Sequence, residues 1–257
     1  MQDILIKLLK KKIIQVANLS AEGHIPSAFS ILDIIYVLYE QFIKNNDSDS
    51  AKIDNHFVLS KGHGSLALYA VLYHFKNIAE SEFLSFCKFN SKLGGHPDRL
   101  KIPRIEVSTG SLGHGLPIAL GLALAQKIEK KNERTFVLIG DGECNEGTTW
   151  ESALFAAEHK LNNLVCILDN NDSTSRALNL GDISKKFQAF GWETLNIDGH
   201  NHNEISNSLK LITSNKPLLI NAKTTKGKGV ISMENNPEWH HKIPNEEQVT
   251  KMLEELI

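Results

Sequence analysis

The stretch from Thr135 to Ser173 constrains the fold more than any other part of this 257-residue sequence. An apolar run from Phe136 to Ile139 ends in Gly140-Asp141-Gly142, which is typical of a buried strand followed by a tight turn. A helical pattern follows, and a second apolar run, Leu164 to Leu168, ends in Asp169-Asn170-Asn171. A strand, a helix and a strand in this order predict two neighbouring parallel strands whose carboxyl ends lie at one sheet edge.

Asp141 and Asn171 are therefore expected to meet at the edge where open α/β sheets bind ligands. A carboxylate, an amide oxygen and a loop carbonyl suit Mg²⁺ or Ca²⁺, with phosphate oxygens and water completing the coordination. Gly142 and the start of the following helix offer backbone N–H groups and a positive dipole end to a phosphate. A simple hairpin turn at Asp141-Gly142 is the alternative, and the helical run after it argues against that interpretation.

The segment GDGECNEGTTWESALFAAEHKLNNL, with Asn171 at the end of the next strand, resembles the signature of thiamine diphosphate-binding proteins. It is similar in particular to the transketolase branch of that family. The resemblance implies that Asp141, Asn171 and the main-chain carbonyl of Ser173 hold the metal. It also implies that Gly142 contacts the diphosphate of the cofactor.

Two glutamates of the same motif and the loop after it extend the comparison. Glu143 is predicted as a cofactor-binding residue, and Glu146 matches a transketolase glutamate at the dimer interface that relays protons between active sites. Transketolases usually continue from the strand-ending Asn with Gly and an Ile-Asp-Gly turn, whereas this chain reads Asn171-Asp-Ser-Thr-Ser-Arg176. The loop up to Arg176 is therefore expected to be reshaped.

Three histidines, His24, His63 and His96, each follow a glycine. Any one of them alone would be interpreted as a turn residue. Glycines on both sides of His63, at a predicted helix start, suit an imidazole that donates to a phosphate oxygen. The transketolase resemblance implies that His24 faces the substrate, that His63 contacts the diphosphate and that His96 faces the reacting carbon.

Further cofactor contacts follow from two other segments. The glycines of residues 108–117 are in the wrong order for a dinucleotide fingerprint. Their resemblance to the transketolase Thr-Gly-x-Leu-Gly segment implies that Gly110 and Leu112 pack against the thiazolium and aminopyrimidine. His114, where many transketolases carry Gln, is a further candidate contact. Glu238-Trp-His-His-Lys resembles an element whose histidine reaches the diphosphate, and His240 matches it better than His241.

Three local patterns carry predictions of their own. Ser27 is expected to cap a helix running to about Ile43. Residues 44–55 are expected to form a polar surface loop. His200 and His202 could suggest a metal pair, but they are predicted instead to cap a helix from Glu204. Transketolases carry Asp-Gly-His at this point, and the resemblance implies that His200 approaches the site from its edge.

Composition limits the class of protein. The formal net charge of −2 gives no reason to expect nucleic acid or a membrane as partner. Three scattered cysteines, a charged amphipathic N-terminus and no long apolar run predict a soluble, cytoplasmic protein. Strand and helix patterns alternate throughout, which predicts one α/β domain over residues 1–257 with a doubly wound, mostly parallel sheet.

The resemblance covers nearly the whole chain, but only the diphosphate-binding third of a transketolase. It implies an N-terminal subunit that uses thiamine diphosphate and Mg²⁺, with Ca²⁺ as a substitute, on phosphosugars. A separate C-terminal subunit would carry the pyrimidine-binding domain, in a heterotetramer of two chains of each kind. The alternatives are half of a 1-deoxyxylulose-phosphate-synthase-like or 2-oxo acid decarboxylating enzyme, a Mg²⁺-dependent phosphoesterase, or a non-catalytic partner-binding protein.

Overall fold

The fold is a five-stranded sheet in which every strand is parallel to its neighbours. The computed structural model describes residues 2–43, 54–175 and 178–256. The strand order is β1-β2-β3-β5-β4. The strands are β1 (His56–Leu59), β2 (Thr135–Gly140), β3 (Leu164–Asn170), β4 (Glu193–Asp198) and β5 (Leu218–Lys223). The predicted strand–helix–strand unit therefore exists, and it forms the centre of the sheet.

Ten α-helices lie in the described ranges, and most of them connect one strand to the next. They are α1 (Gln2–Ser20), α2 (Ile25–Phe29), α3 (Leu32–Gln41), α4 (Ser65–His74), α5 (Glu80–Phe83), α6 (Gly115–Ile128), α7 (Gly147–Glu158), α8 (Ile183–Ala189), α9 (His202–Lys210) and α10 (Glu246–Glu255). Short 3₁₀ turns cover Gly62–Gly64, Asp141–Asn145 and Pro237–Trp239. Two of these turns directly follow β1 and β2, so they lie at the carboxyl edge.

The sheet has a separate hydrophobic core on each face, because successive strand residues point to opposite sides. Phe136 and Leu138 of β2 belong to the core formed with helices that include α1, α3, α4 and α9. Val137 and Ile139 belong to the core formed with α6, α7 and α8. Helices on both faces of a parallel sheet confirm the predicted doubly wound α/β class.

Strand register decides which side chains reach the carboxyl edge. Gly140 of β2 lies beside Asp169 of β3, and Asn170 of β3 lies beside Lys223 of β5. The residues that follow these pairs therefore leave the sheet at the same level. The loops after β2, β3 and β5 accordingly form one continuous surface at this edge.

The prediction for Ser27 is wrong. Helix α2 begins at Ile25 and carries a proline in its first turn, so Ser27 lies inside the helix and is buried. Proline fits the first turn of a helix because its missing N–H would have no partner there. The helix also ends at Phe29, and α3 starts separately at Leu32. Residues 44–53 of the predicted polar loop lie outside the described residues.

His200 and His202 do not cap α9. Asn201 does, with its side-chain oxygen accepting from the N–H groups of Asn203 and Glu204. The two histidines instead donate to the carboxylate of Asp33, from Nδ1 of His200 at 3.0 Å and Nε2 of His202 at 2.8 Å. Although burial opposes its ionisation, these bonds hold the pKa of Asp33 at about 2.

Asp33 thereby ties α3 to the edge of the sheet. Nε2 of His200 accepts from the N–H of Thr225 at 2.9 Å, which fixes the start of the loop after β5.

Within the described part of the chain, no helix is both long and apolar enough to cross a membrane.

Candidate functional site

The turn after β2 and the loop after β3 meet at Ser173. Its hydroxyl donates to Oδ1 of Asp141 over 3.0 Å, and its N–H donates to Oδ1 of Asn171 over 3.1 Å. The N–H of Thr174 also lies 3.4 Å from Oδ2 of Asp141. The structure thus brings the three residues predicted as metal ligands into one corner, which we call the Asp141 corner (Asp141, Asn171 and Ser173). The far end of the predicted reshaped loop, Arg176, lies outside the described residues.

A hydrogen bond to Asp169 sets the orientation of the Asn171 amide. Its Nδ2 donates to Oδ2 of Asp169 over 2.8 Å, which leaves the amide oxygen on the side of Ser173. Asp141 and Asn171 are both buried, with 3% and 8% of their surface exposed. The corner therefore presents oxygen atoms, the ligand type that hard divalent cations prefer.

Electrostatics at Asp141 favour a bound cation. Burial, and then the nearby charge of Asp169, raise the pKa of Asp141, while the bonds from Ser173 and Thr174 partly offset this. A cation beside the carboxylate would stabilise its ionised form. In the described ranges no three His, Cys, Asp or Glu side chains are grouped to hold a metal. A cation here would therefore need the Asn171 amide, main-chain oxygens and oxygens of its own ligand.

A buried ion pair that sequence reasoning missed supports the corner. Lys61 is the second residue after β1. It pairs with Asp169, and both side chains are almost fully buried. Asp169 also accepts from the hydroxyls of Ser30, at 2.8 Å, and Thr224. Although burial alone would raise it, the charge of Lys61 lowers the pKa of Asp169. One carboxylate thus joins the ends of β1, β3 and β5.

A cluster of histidines lies beside this pair. The ring centroid of His24 is 5.3 Å from that of His63, 5.6 Å from His240 and 4.5 Å from His241. Nδ1 of His24 donates to the carbonyl of His240 over 3.0 Å, and Nζ of Lys226 donates to Nδ1 of His240 over 3.0 Å. We call these five side chains the histidine cluster.

The cluster is suited to an anion. Burial, followed by neighbouring positive groups, lowers the pKa of His24 to about 4 and that of His63 to about 2. The pKa values of His240 and Lys226 are also lowered, by burial and then by nearby lysine charge. An anion such as a diphosphate would relieve this mutual repulsion and would accept hydrogen bonds from the same groups.

His96 lies apart from the histidine cluster and contacts Gly110 instead. A Cβ placed on Gly110 would be 3.2 Å from the His96 ring, so the imidazole packs directly over the Gly110 backbone. The hydroxyl of Tyr69 donates to the carbonyls of Gly94 and His96, at 3.0 and 3.1 Å, which anchors this loop to α4. Within the described ranges no ring contact joins His96 to the histidine cluster.

The remaining predicted residues surround Gly113. Leu112, His114 and Glu146 are exposed, and Gly113, with φ of +81°, packs against the side chain of Glu146. Glu143 is buried instead. Its carboxylate accepts from the hydroxyl of Ser60 and, at 2.9 Å each, from the N–H groups of Gly113 and Gly140. Direct contact of Glu143 with a cofactor stays a prediction.

A cavity lies against part of the Asp141 corner and part of the histidine cluster. It measures about 870 Å³ and lies at the carboxyl ends of β3, β4 and β5. Its walls include Asn171 and Ser173 of the corner, and Lys226 and His240 of the cluster. A Cβ on Gly142 would meet no atom within 4 Å, so the backbone there is open to a ligand. The donor set and the space both fit a diphosphate with a hard divalent cation.

Sequence comparison assigns this chain to a known family. Residues 3–256 match the family model for the transketolase, thiamine diphosphate binding domain. The chain belongs to this family of thiamine diphosphate-dependent transferases, as its sequence motifs predicted.

Two similar proteins have nearly the same length as this chain, and each is one subunit of an apulose-4-phosphate transketolase. The subunit from Actinobacillus succinogenes is 39% identical over 258 residues, which is 97% of this chain and 94% of that protein. Its counterpart from Phocaeicola vulgatus is 36% identical, over 96% of this chain and 90% of its own length. The chain therefore corresponds to the N-terminal subunit of a transketolase.

Full-length transketolases match over only part of their length. Human transketolase is 36% identical over 95% of this chain but only 40% of its own sequence. The crystal structure of transketolase from Campylobacter jejuni superposes with a TM-score of 0.87 and 29% identity, over 100% of this chain and 43% of that one. These relatives favour the transketolase interpretation over the decarboxylating and phosphoesterase alternatives.

Proposed function

We propose that this chain is the diphosphate-binding subunit of a split transketolase. With a separate C-terminal subunit it would transfer a two-carbon ketol unit from a ketose phosphate to an aldose acceptor. Residues 1–257 would form one thiamine diphosphate- and metal-binding domain. The observation that carries the proposal is the cavity lined by Asn171 and Ser173 of the Asp141 corner and by Lys226 and His240 of the histidine cluster. The chain also matches 94% of the apulose-4-phosphate transketolase subunit from Actinobacillus succinogenes.

The metal would be Mg²⁺, with Ca²⁺ as a substitute, held by Asp141, by the amide oxygen of Asn171 and by the main-chain carbonyl of Ser173. Support comes from the oxygen-rich corner and from the raised pKa of Asp141, which burial causes and a cation would reverse. Thiamine diphosphate, when bound, would supply the carbon nucleophile that the transfer requires.

The chain's own residues would bind the diphosphate and move protons. Gly142 leaves room beside the corner, and His63, Lys226 and His240 would donate to phosphate oxygens from the opposite wall. His24 has its Nδ1 occupied by the His240 carbonyl, so its Nε2 would accept a proton or hydrogen bond from a substrate hydroxyl.

The other predicted residues would act further out. His96 would face the reacting carbon from its position over Gly110. Leu112 and His114 would contact the cofactor ring, and Glu146 would relay protons between paired active sites. These last three side chains are exposed, as a surface covered by a second chain would require.

The partner would be a chain with the pyrimidine-binding domain, in a heterotetramer of two chains of each kind. Helices α6 and α7 lie side by side, and they expose the large apolar side chains of Ile118, Leu154 and Phe155. Exposed apolar groups of this kind suit a protein–protein contact. All three cysteines are free, which supports a reducing, cytoplasmic location.

The test is two-carbon transfer from a ketose phosphate to an aldose phosphate, assayed with thiamine diphosphate and Mg²⁺. The purified chain alone is expected to show no turnover, and activity should appear when the C-terminal subunit from the same source is added. Full activity of the lone chain would contradict the split-enzyme proposal. Pyruvate decarboxylation by the reconstituted pair would contradict the transferase assignment.

A further inference from the structure

Two residues to which no motif gave a role lie beside His24. Nε2 of His241 is 2.9 Å from Oε1 of Glu22, and the rings of His241 and His24 are 4.5 Å apart with an interplanar angle of 39°. Glu22 and His24 flank Gly23 in one loop, whereas His241 comes from the far end of the chain. The pair therefore joins two distant segments across the His24 ring.

We infer that Glu22 and His241 are positioning residues that hold the imidazole of His24, so that its Nε2 can receive a hydroxyl group of the sugar substrate. The inference rests on the proposed function for its substrate class. Its structural part, the control of the His24 ring by Glu22 and His241, stands on the contacts of this chain alone.

The tautomer of His24 follows from one hydrogen bond. A carbonyl oxygen can only accept, so the 3.0 Å contact with the His240 carbonyl requires the proton on Nδ1 of His24. In the neutral ring Nε2 then keeps a lone pair, and none of the described residues donates to it. A free acceptor in a half-buried site is the group that a substrate hydroxyl would satisfy.

The ring is confined from several directions. His241 covers it at 4.5 Å, while His63 and His240 approach edge-on at 5.3 and 5.6 Å. The charged or titratable groups that face His24 are these three histidines, Lys226 and Glu22. Burial, and then the charges of His241, His240 and Lys226, lower the pKa of His24 to about 4, which keeps Nε2 an acceptor at neutral pH.

The Glu22–His241 contact contributes little to folding, because both side chains are nearly half exposed, at 42% and 48%. An ion pair in such an environment is screened by water. Its main consequence is local: it gives the His241 ring a second partner besides the ring of His24.

The first test is NMR of the isolated chain labelled with ¹⁵N in the histidine rings, with His24 assigned from His24→Gln. We expect wild-type His24 to be protonated at Nδ1. In His241→Ala the two tautomers of His24 should become mixed and its pKa should rise, with a smaller change in Glu22→Gln. His159→Ala, which alters an exposed histidine packed on Phe155, is the matched control. An unchanged His24 in both His241→Ala and Glu22→Gln would overturn the inference.

The second test uses the assembled enzyme with its partner subunit. His241→Ala should lower kcat/KM by about 10–100-fold, the range expected for a misplaced reacting group. His241→Gln, which can still donate to Glu22, should recover part of this loss. Equal kcat and KM for wild type and His241→Ala would overturn the role in catalysis. If the proposed function itself is wrong, the wild-type chain will not bind thiamine diphosphate. That outcome is independent of the NMR result.

Discussion

Asn171 donates its side-chain N–H to Oδ2 of Asp169 over 2.8 Å, and this bond turns its amide oxygen toward the Asp141 corner. Asp169 is fully buried and is paired with Lys61. A carboxylate that never reaches the surface thus controls the orientation of a predicted metal ligand. Stability and cation binding should therefore depend on the same side chain.

The first prediction concerns Asp169→Asn. Removing its charge leaves the buried ammonium of Lys61 without a counter-ion, a change that typically costs about 3–5 kcal/mol. Urea unfolding should show a loss of this size. Asp172→Asn, which breaks an exposed pair with Lys223, is the control and should cost less than about 1 kcal/mol. Equal losses in the two variants would contradict the role of the buried pair.

A second prediction separates a structural role of Glu143 from direct cofactor contact. Glu143→Ala leaves the hydroxyl of Ser60 and the N–H groups of Gly113 and Gly140 without an acceptor, at about 1–3 kcal/mol for each buried group. Glu143→Gln retains one acceptor oxygen and should lose less. Both values can be measured by urea unfolding without cofactor. If neither variant loses stability, the buried network does not hold these loops together.

Sequence reasoning located the central strands β2 and β3, because each is an apolar run that ends in glycine or polar residues. It also predicted the meeting of Asp141 with Asn171, since neighbouring parallel strands end at one edge. It failed where partners are distant in the chain. Asp33 lies 167 residues before His200, so the two histidines were interpreted through their local role at a helix start.

The Lys61–Asp169 pair was missed for the same reason, because its members are 108 positions apart in the sequence. A signal was nevertheless present. Asp169 continues the apolar run of β3, and a carboxylate at a buried strand end requires a positive partner. Lys61 stands at the corresponding end of β1, where it could have been identified as that partner.

The third prediction is a pH dependence caused by His24. Its pKa of about 4 lies below the ordinary 6.5, because burial and neighbouring positive groups disfavour the charged ring. The unfolded chain binds this proton near pH 6.5, but the folded chain binds it only near pH 4. The free energy of unfolding should therefore fall as the pH is lowered through this window, by up to about 1.4 kcal/mol per pH unit from this group.

The measurement compares wild type with His24→Gln by urea unfolding across the same pH window. The stability difference between the two proteins should shift in favour of the variant as the pH falls toward 4. A difference that does not change with pH would show that His24 is not held neutral by its surroundings.

A fourth prediction concerns Gly142. A Cβ there meets no atom within 4 Å, so Gly142→Ala should change the free energy of unfolding by less than about 0.5 kcal/mol. The added methyl group would occupy the space proposed for the diphosphate. Affinity for thiamine diphosphate with Mg²⁺, measured by titration calorimetry, should fall on the order of tenfold, about 1.4 kcal/mol.

Gly147→Ala is the matched control, because a Cβ there also meets no atom within 4 Å, and the residue lies at the start of α7. It should leave the cofactor affinity unchanged. Equal affinities for the Gly142→Ala variant and this control would place the diphosphate elsewhere.

The most direct test of the central claim is thermal unfolding of the purified chain with thiamine diphosphate, with and without Mg²⁺. A ligand at a hundred times its Kd adds about 2.7 kcal/mol of stability, which is readily seen as a rise in Tm. We predict a rise that needs both the cofactor and the metal, is absent in Asp141→Ala and is retained in Asp172→Asn. A rise of equal size in Asp141→Ala, or no rise in the wild-type chain at any cofactor concentration, would contradict the assignment of this site.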